Sequence, residues 1–143
     1  ILQLFWGKKK FFPEWKVDSI TLRKSNMKHN ISVEGIKVYA FHGCLEEEAK
    51  IGGHYQVDVH IETDFTKAMN NDSLEDTIDY VWVNKIVQEE MAIRSKLIES
   101  VGQRIITQLK SKNTNAKYRV LIRKLSPPIN GDVNSVSISI NEF

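Results

Sequence analysis

Cysteine is almost missing from this chain. Cys44 stands alone among 143 residues, so no internal disulfide can form and nothing in the sequence exploits an oxidising compartment. A cytoplasmic location is the expectation. Long apolar runs are missing too: none approaches the ~20 residues that a membrane-spanning helix needs. The histidines, His29, His42, His54 and His60, include no pair two or four residues apart, the usual spacing of metal ligands. Neither a metal nor a cofactor is expected. Repeats and low-complexity tracts do not occur either. What is present, 41% hydrophobic and 27% charged residues, is ordinary for one globular domain that buries roughly two-thirds of its unfolded surface.

Charge is unevenly placed. Residues 1–26 hold six lysines and arginines against Glu14 and Asp18, a net +4 within a chain of net +2, so the remainder carries −2. The same stretch contains Phe5, Trp6, Phe11, Phe12 and Trp15, yet it sustains neither a strand nor a helix period. A secretory signal fits poorly, because the apolar "ILQLFW" precedes the lysines and is short. Met27 falls just before the patterned sequence. Residues 1–30 are therefore read as an extension, disordered or an upstream translation without a role, and residues 31–143 as the domain. A rival of another class remains: a scaffold or nucleic-acid module that uses the basic aromatic leader. Deleting residues 1–26 separates the two, since an enzyme would keep its turnover and a scaffold would lose its partner.

From Ile31 the pattern sharpens. "ISVEGIKVYAF" and "HYQVDVHIETDF" are rich in β-branched and aromatic residues and read as strands joined by the loop "HGCLEEEAKIGG". Tyr80, Val83, Val87 and Met91 then recur at helical spacing behind a cap at Thr77 or Asp79. A second helix carries Ile98, Val101, Ile105 and Leu109 in register, with Ser95 near its start. Two more strands, "KYRVLIRKL" and "VNSVSISI", flank the turn at Pro127 and Pro128. Paired strands with two helices between them predict an α+β fold, an antiparallel four-stranded sheet covered by the helices on one face. Long outer strands would leave exposed edges, which favours an oligomer that pairs them.

Four polar groups interrupt apolar patterns. Val120, Ile122 and Lys124 share one strand face, which aims an ammonium inward where the diproline stops the strand. Glu99 opens the second helix beside Ile98, Tyr80 opens the first, and Glu48 lies in the loop before Ile51. Each has a plain structural explanation as well. A glutamate at a helix start complements the dipole, a tyrosine on an apolar stripe packs in the core, a glutamate within "EEE" is solvated, and a lysine at a strand end reaches out to water. Cys44 reads as inert packing.

Taken together, "FHGCLEEEAKIGGHYQVDV", "LEDTIDY", "KLIESVGQRI" and "RKLSPPINGDVNSVSISI" resemble, in order and spacing, the dihydroneopterin aldolase family of folate biosynthesis. The resemblance covers residues 31–143. It implies the tunnelling fold, assembled as a ring of four or eight chains with the site between subunits. It implies a lyase that splits 7,8-dihydroneopterin into 6-hydroxymethyl-7,8-dihydropterin and glycolaldehyde, with 2′-epimerisation as a side activity. It places the pterin-anchoring carboxylate on Glu99 with the backbone of Ile98 beside it, the catalytic lysine on Lys124, and the groups that handle the substrate hydroxyls and relay water on Glu48 and Tyr80. Such a lysine, partly buried, is expected to have its pKa lowered toward neutrality. The substrate's own ring takes up the electrons, so neither metal nor Schiff base is implied. Asn130 and Asp132 replace the family's usual turn residues, which bears on loop closure. A dihydroneopterin triphosphate epimerase shares the fold and is the alternative enzyme, although "EEE" suits a polyanion badly.

Overall fold

The computed structural model describes residues 29–142. The basic leader, residues 1–26, lies outside the described residues. Strand β1 (His29–Ala40) is followed by helix α1 (Glu46–Ile51), strand β2 (Gly53–Thr63) and helix α2 (Thr66–Asn71). A 3-10 turn (Leu74–Asp76) then leads into helices α3 (Tyr80–Ala92) and α4 (Ile98–Lys112), and strands β3 (Lys117–Leu125) and β4 (Ser135–Glu142) end the fold. The strands form one four-stranded antiparallel sheet, as the sequence predicts, in the order β1-β2-β3-β4. The register of β1 on β2 slips between Val33 and Ile36, where the Asp58 carboxylate accepts the Gly35 N–H at 2.7 Å and pairs with Arg123 at 2.6 Å.

The core lies between one sheet face and the two long helices. Val57, Val59 and Ile61 of β2 and Val120 and Ile122 of β3 are fully buried against Val83, Val87 and Met91 of α3 and Val101, Ile105 and Leu109 of α4. Alternation puts these strand residues on one face, and the helical period presents the matching stripes. Gly102 sets how closely α4 approaches, because a Cβ there would come within 2.8 Å of the Ile140 side chain.

Three expectations change. The stretch read as a loop contains α1, because "EEEAKI" is a short run of helix formers whose acidic first turn suits a helix start. Helix α4 begins at Ile98 rather than near Ser95, whose hydroxyl instead accepts from Arg104 at 2.6 Å. Tyr80 is 65% exposed and leaves the core stripe that continues through Val83, Val87 and Met91. Asp79 caps α3, accepting the Val81 N–H at 2.8 Å, so Tyr80 sits in the overhanging first turn. No helix among the described residues is long and apolar enough to cross a membrane.

Candidate active site

Lys124 occupies the inward-facing slot that the alternation of β3 gives it, two residues beyond Ile122, and its partners come from the loop and helix α1 that follow β1 in the chain. Its ammonium donates to the His42 carbonyl at 3.0 Å and forms an ion pair with the Glu48 carboxylate. Both side chains of the pair are largely withdrawn from water, 15% and 13% exposed. Glu48 is fixed at its other oxygen, which accepts the Leu45 N–H at 3.1 Å. The carboxylate lies flush against Gly43, whose φ of +142° and missing side chain make the slot; a Cβ there would overlap the carboxyl group itself.

Charge follows from this geometry. Burial works against the Glu48 carboxylate, but the Lys124 ammonium and the Leu45 N–H outweigh it, so the pKa lies below the ordinary value. Burial likewise works against the Lys124 ammonium, and its bond to Glu48, aided by Tyr55, outweighs it; the pKa is raised. The expected lowering toward neutrality is therefore corrected. Burial acts in the predicted direction, but a carboxylate in direct contact overrides it. In the free chain the pair is an ammonium facing a carboxylate.

A second layer holds the first. Tyr55, fully buried on β2, donates its hydroxyl to the His42 carbonyl at 2.9 Å. The His42 ring, 1% exposed, accepts the Ser95 N–H on Nδ1 at 3.1 Å, which leaves the proton of the neutral ring on Nε2. That atom is buried without a partner of hydrogen-bonding geometry, although the nearby Met91 carbonyl favours the charged ring. Burial, then the charge of Arg104, hold the His42 pKa below its ordinary value. The loop around His42 is also stitched to the turn between α3 and α4: the Gly43 N–H donates to Ser95 at 3.0 Å, and Arg94 donates to the Gly43 carbonyl at 2.9 Å. Arg104 braces that turn through Glu90, Ser95 and Ile93. Cys44 is exposed rather than packed, its thiol against the Lys96 carbonyl at 3.6 Å.

The predicted residues fall in three places. Lys124 and Glu48 meet in a cavity of about 160 Å³ whose walls include His42, Gly52, Tyr55 and Pro128. Ile98 and Glu99 form the first turn of α4, just after the stitched segment; Ile98 is partly buried and Glu99 exposed. Tyr80 borders a different, more apolar groove with Ile31, Phe65, Met69 and Leu74. Among the described residues no three histidine, cysteine, aspartate or glutamate side chains group around a metal-sized space. The sequence places His42 and Gly43 in a loop and Tyr55 in a strand and assigns none of them a role. Their roles depend on which residue faces which across β2 and β3, and Tyr55 pairs directly with Lys124 in that register.

Comparison with known proteins gives this arrangement a context. The family model for dihydroneopterin aldolase matches residues 31–141. A dihydroneopterin aldolase of Bacillus subtilis is 35% identical over 112 residues, covering 77% of this chain and 93% of that protein. Dihydroneopterin aldolase 1 of Arabidopsis thaliana is 35% identical over 88 residues, 60% of each. Among solved structures, the fold matches the Escherichia coli dihydroneopterin aldolase in complex with neopterin, with a TM-score of 0.73 at 20% identity over 80% of this chain and 99% of that one. It also matches a Burkholderia dihydroneopterin aldolase bound to guanine, with a TM-score of 0.62 at 18% identity over 80% and 89%.

Proposed function

The chain belongs to the dihydroneopterin aldolase family, lyases of folate biosynthesis, and on that premise we propose that it cleaves 7,8-dihydroneopterin at the Lys124–Glu48 cavity. The observation that carries this reading is the withdrawn ion pair itself. It places a proton donor and a proton acceptor side by side at a strand end, in a concavity that opens to ligand. The reaction needs both. The 2′ hydroxyl of the substrate gives up its proton, the C1′–C2′ bond breaks, and glycolaldehyde leaves with the new carbonyl. The electron pair passes into the ring C=N at position 5, and protonation at C1′ completes 6-hydroxymethyl-7,8-dihydropterin. Because the ring is the electron sink, the chain's task is to place protons.

The pKa directions divide that task. Glu48, held as carboxylate, serves as the acceptor at the hydroxyl end, directly or through a water. Lys124, held as ammonium, supplies the proton to the electron-rich ring system and is recharged from the hydroxyl end. Glu99 anchors the pterin: the amino-pyrimidinone edge presents two adjacent N–H donors, which one carboxylate accepts as a planar bidentate pair. The backbone of Ile98 borders the ring. The same first deprotonation permits 2′-epimerisation as a side reaction.

A cavity of about 160 Å³ is small for a bicyclic ligand, since ligand pockets run from ~300 Å³ upward. Tyr80 lies on another concavity of the same chain. Both observations support a site completed by a second copy, whose Tyr80 reaches the substrate hydroxyls within a ring of four or eight chains. The lone, exposed Cys44 supports a cytoplasmic address. The test is to incubate purified chain with 7,8-dihydroneopterin and follow glycolaldehyde with and without EDTA. Release that persists under chelation is expected. No release, or release that vanishes with EDTA and returns with zinc, would overturn the reading.

A further inference from the structure

Tyr55 stands directly opposite Lys124 in the β2–β3 register, with its ring fully buried. A phenylalanine would fill this core position without requiring a buried hydroxyl to be satisfied. The hydroxyl present here donates to the His42 carbonyl at 2.9 Å, and Lys124 donates to that same oxygen at 3.0 Å. The ammonium also lies 5.8 Å from the centre of the Tyr55 ring, within cation–π range. Tyr55 therefore reaches Lys124 twice, across the ring face and through a shared acceptor.

We propose that Tyr55 is a positioning residue for the reaction, its hydroxyl gripping the His42 carbonyl so that Lys124 presents its protons to the substrate in one direction. Lysine is otherwise poorly suited to such aim, because a four-carbon stem leaves its head many rotamers. An ammonium has three donors, and here two are directed by protein acceptors, the His42 carbonyl and the Glu48 carboxylate. Glu48 is anchored by the Leu45 N–H and seated at Gly43. The His42 carbonyl has its counterpart in Tyr55, while the His42 ring is tied to Ser95. Small losses of aim are large losses of rate when reacting atoms must sit at a fixed separation. The inference rests on the reading of Lys124 as the proton-transfer group.

A double-mutant cycle tests it. Single-turnover rates and pterin dissociation constants are measured for Tyr55→Phe, Lys124→Ala and the double variant, each referred to the fraction that binds pterin, so that partial unfolding does not count as lost chemistry. Tyr55→Phe is expected to slow the chemical step about threefold to tenfold, the reach of one neutral hydrogen bond, with the dissociation constant unchanged within about twofold. In the Lys124→Ala background it should have no further effect. A slow Lys124→Ala beside an unchanged Tyr55→Phe would overturn this inference alone, as would equal slowing by Tyr55→Phe in both backgrounds. Full activity of Lys124→Ala would overturn the catalytic reading, and this inference with it.

Discussion

A carboxylate that holds an ammonium below the surface needs room against the backbone, and Gly43 provides it. Any side chain there meets the Glu48 carboxyl group and also strains a backbone at φ +142°. Gly43→Ala should therefore push Glu48 off Lys124, lowering the melting temperature and reducing turnover together, whereas Gly131→Ala, strained at φ +110° but with open space around it, should lower the melting temperature and leave the Glu48–Lys124 pair in place. Glu99 poses a separate question, since it is exposed and alternation or periodicity alone would assign it to the helix dipole. Glu99→Ala should weaken pterin binding by about 2–4 kcal/mol while the thermal transition stays in place, because a charge-assisted bidentate pair is lost from the ligand and nothing from the core. Titration with a pterin checks this; unchanged affinity would leave Glu99 a dipole-complementing surface residue. At this scale the inward aim of Lys124 was legible from the alternation of Val120 and Ile122. The charge state was not, because the Glu48 contact that sets it joins residues 76 apart in sequence.

Elements explain why the pair holds its place. Strands β2 and β3 fix Tyr55 opposite Lys124, α1 delivers Glu48, and the turn between α3 and α4 grips the loop at His42 and Gly43. The joint should be acid-sensitive. His42 is held neutral in the folded chain, first by burial and then by Arg104, while the unfolded chain takes up a proton near pH ~6.5. A lowered folded pKa means stability fully present above the unfolded value and lost as pH falls through the folded one. Protonation would also put a second proton on Nδ1, which now accepts from Ser95. Denaturant unfolding at roughly pH 7 and roughly pH 5 should show the native chain losing stability across that window, and His42→Gln losing less of it. Equal losses would remove His42 from the account. The long helices were readable because their stripes repeat over three or more turns. Helix α1 was not, because six residues make fewer than two turns.

On the scale of the whole molecule, the residues proposed for the site lie apart: Lys124 and Glu48 in one small cavity, Glu99 at the start of α4, and Tyr80 beside another groove. The antiparallel sheet and its helical cover were legible because paired strands flank two amphipathic helices; the strand order came only with the structure. The separation of Tyr80 from the Lys124–Glu48 cavity was not legible from spacing, which carries no information about distance in the fold; a site between subunits came only from the family resemblance. If a second copy contributes Tyr80, inactive Lys124→Ala and Tyr80→Phe chains should restore each other when mixed and reassembled, recovering about a quarter of native turnover at equal proportions. Failure to recover any activity, with both variants assembled, would assign Tyr80 to its own chain's site or to none.

The central claim is that the inward lysine of β3 moves protons rather than holds the fold or the ligand. Its most direct test is the single-turnover rate of Lys124→Ala at saturating 7,8-dihydroneopterin, set beside the pterin dissociation constant of the same preparation. Loss of a positioned acid–base group should slow the chemical step by roughly 10²–10⁴-fold, with affinity nearly unchanged because Glu99 remains. Rate and affinity falling together, or neither falling, would contradict it.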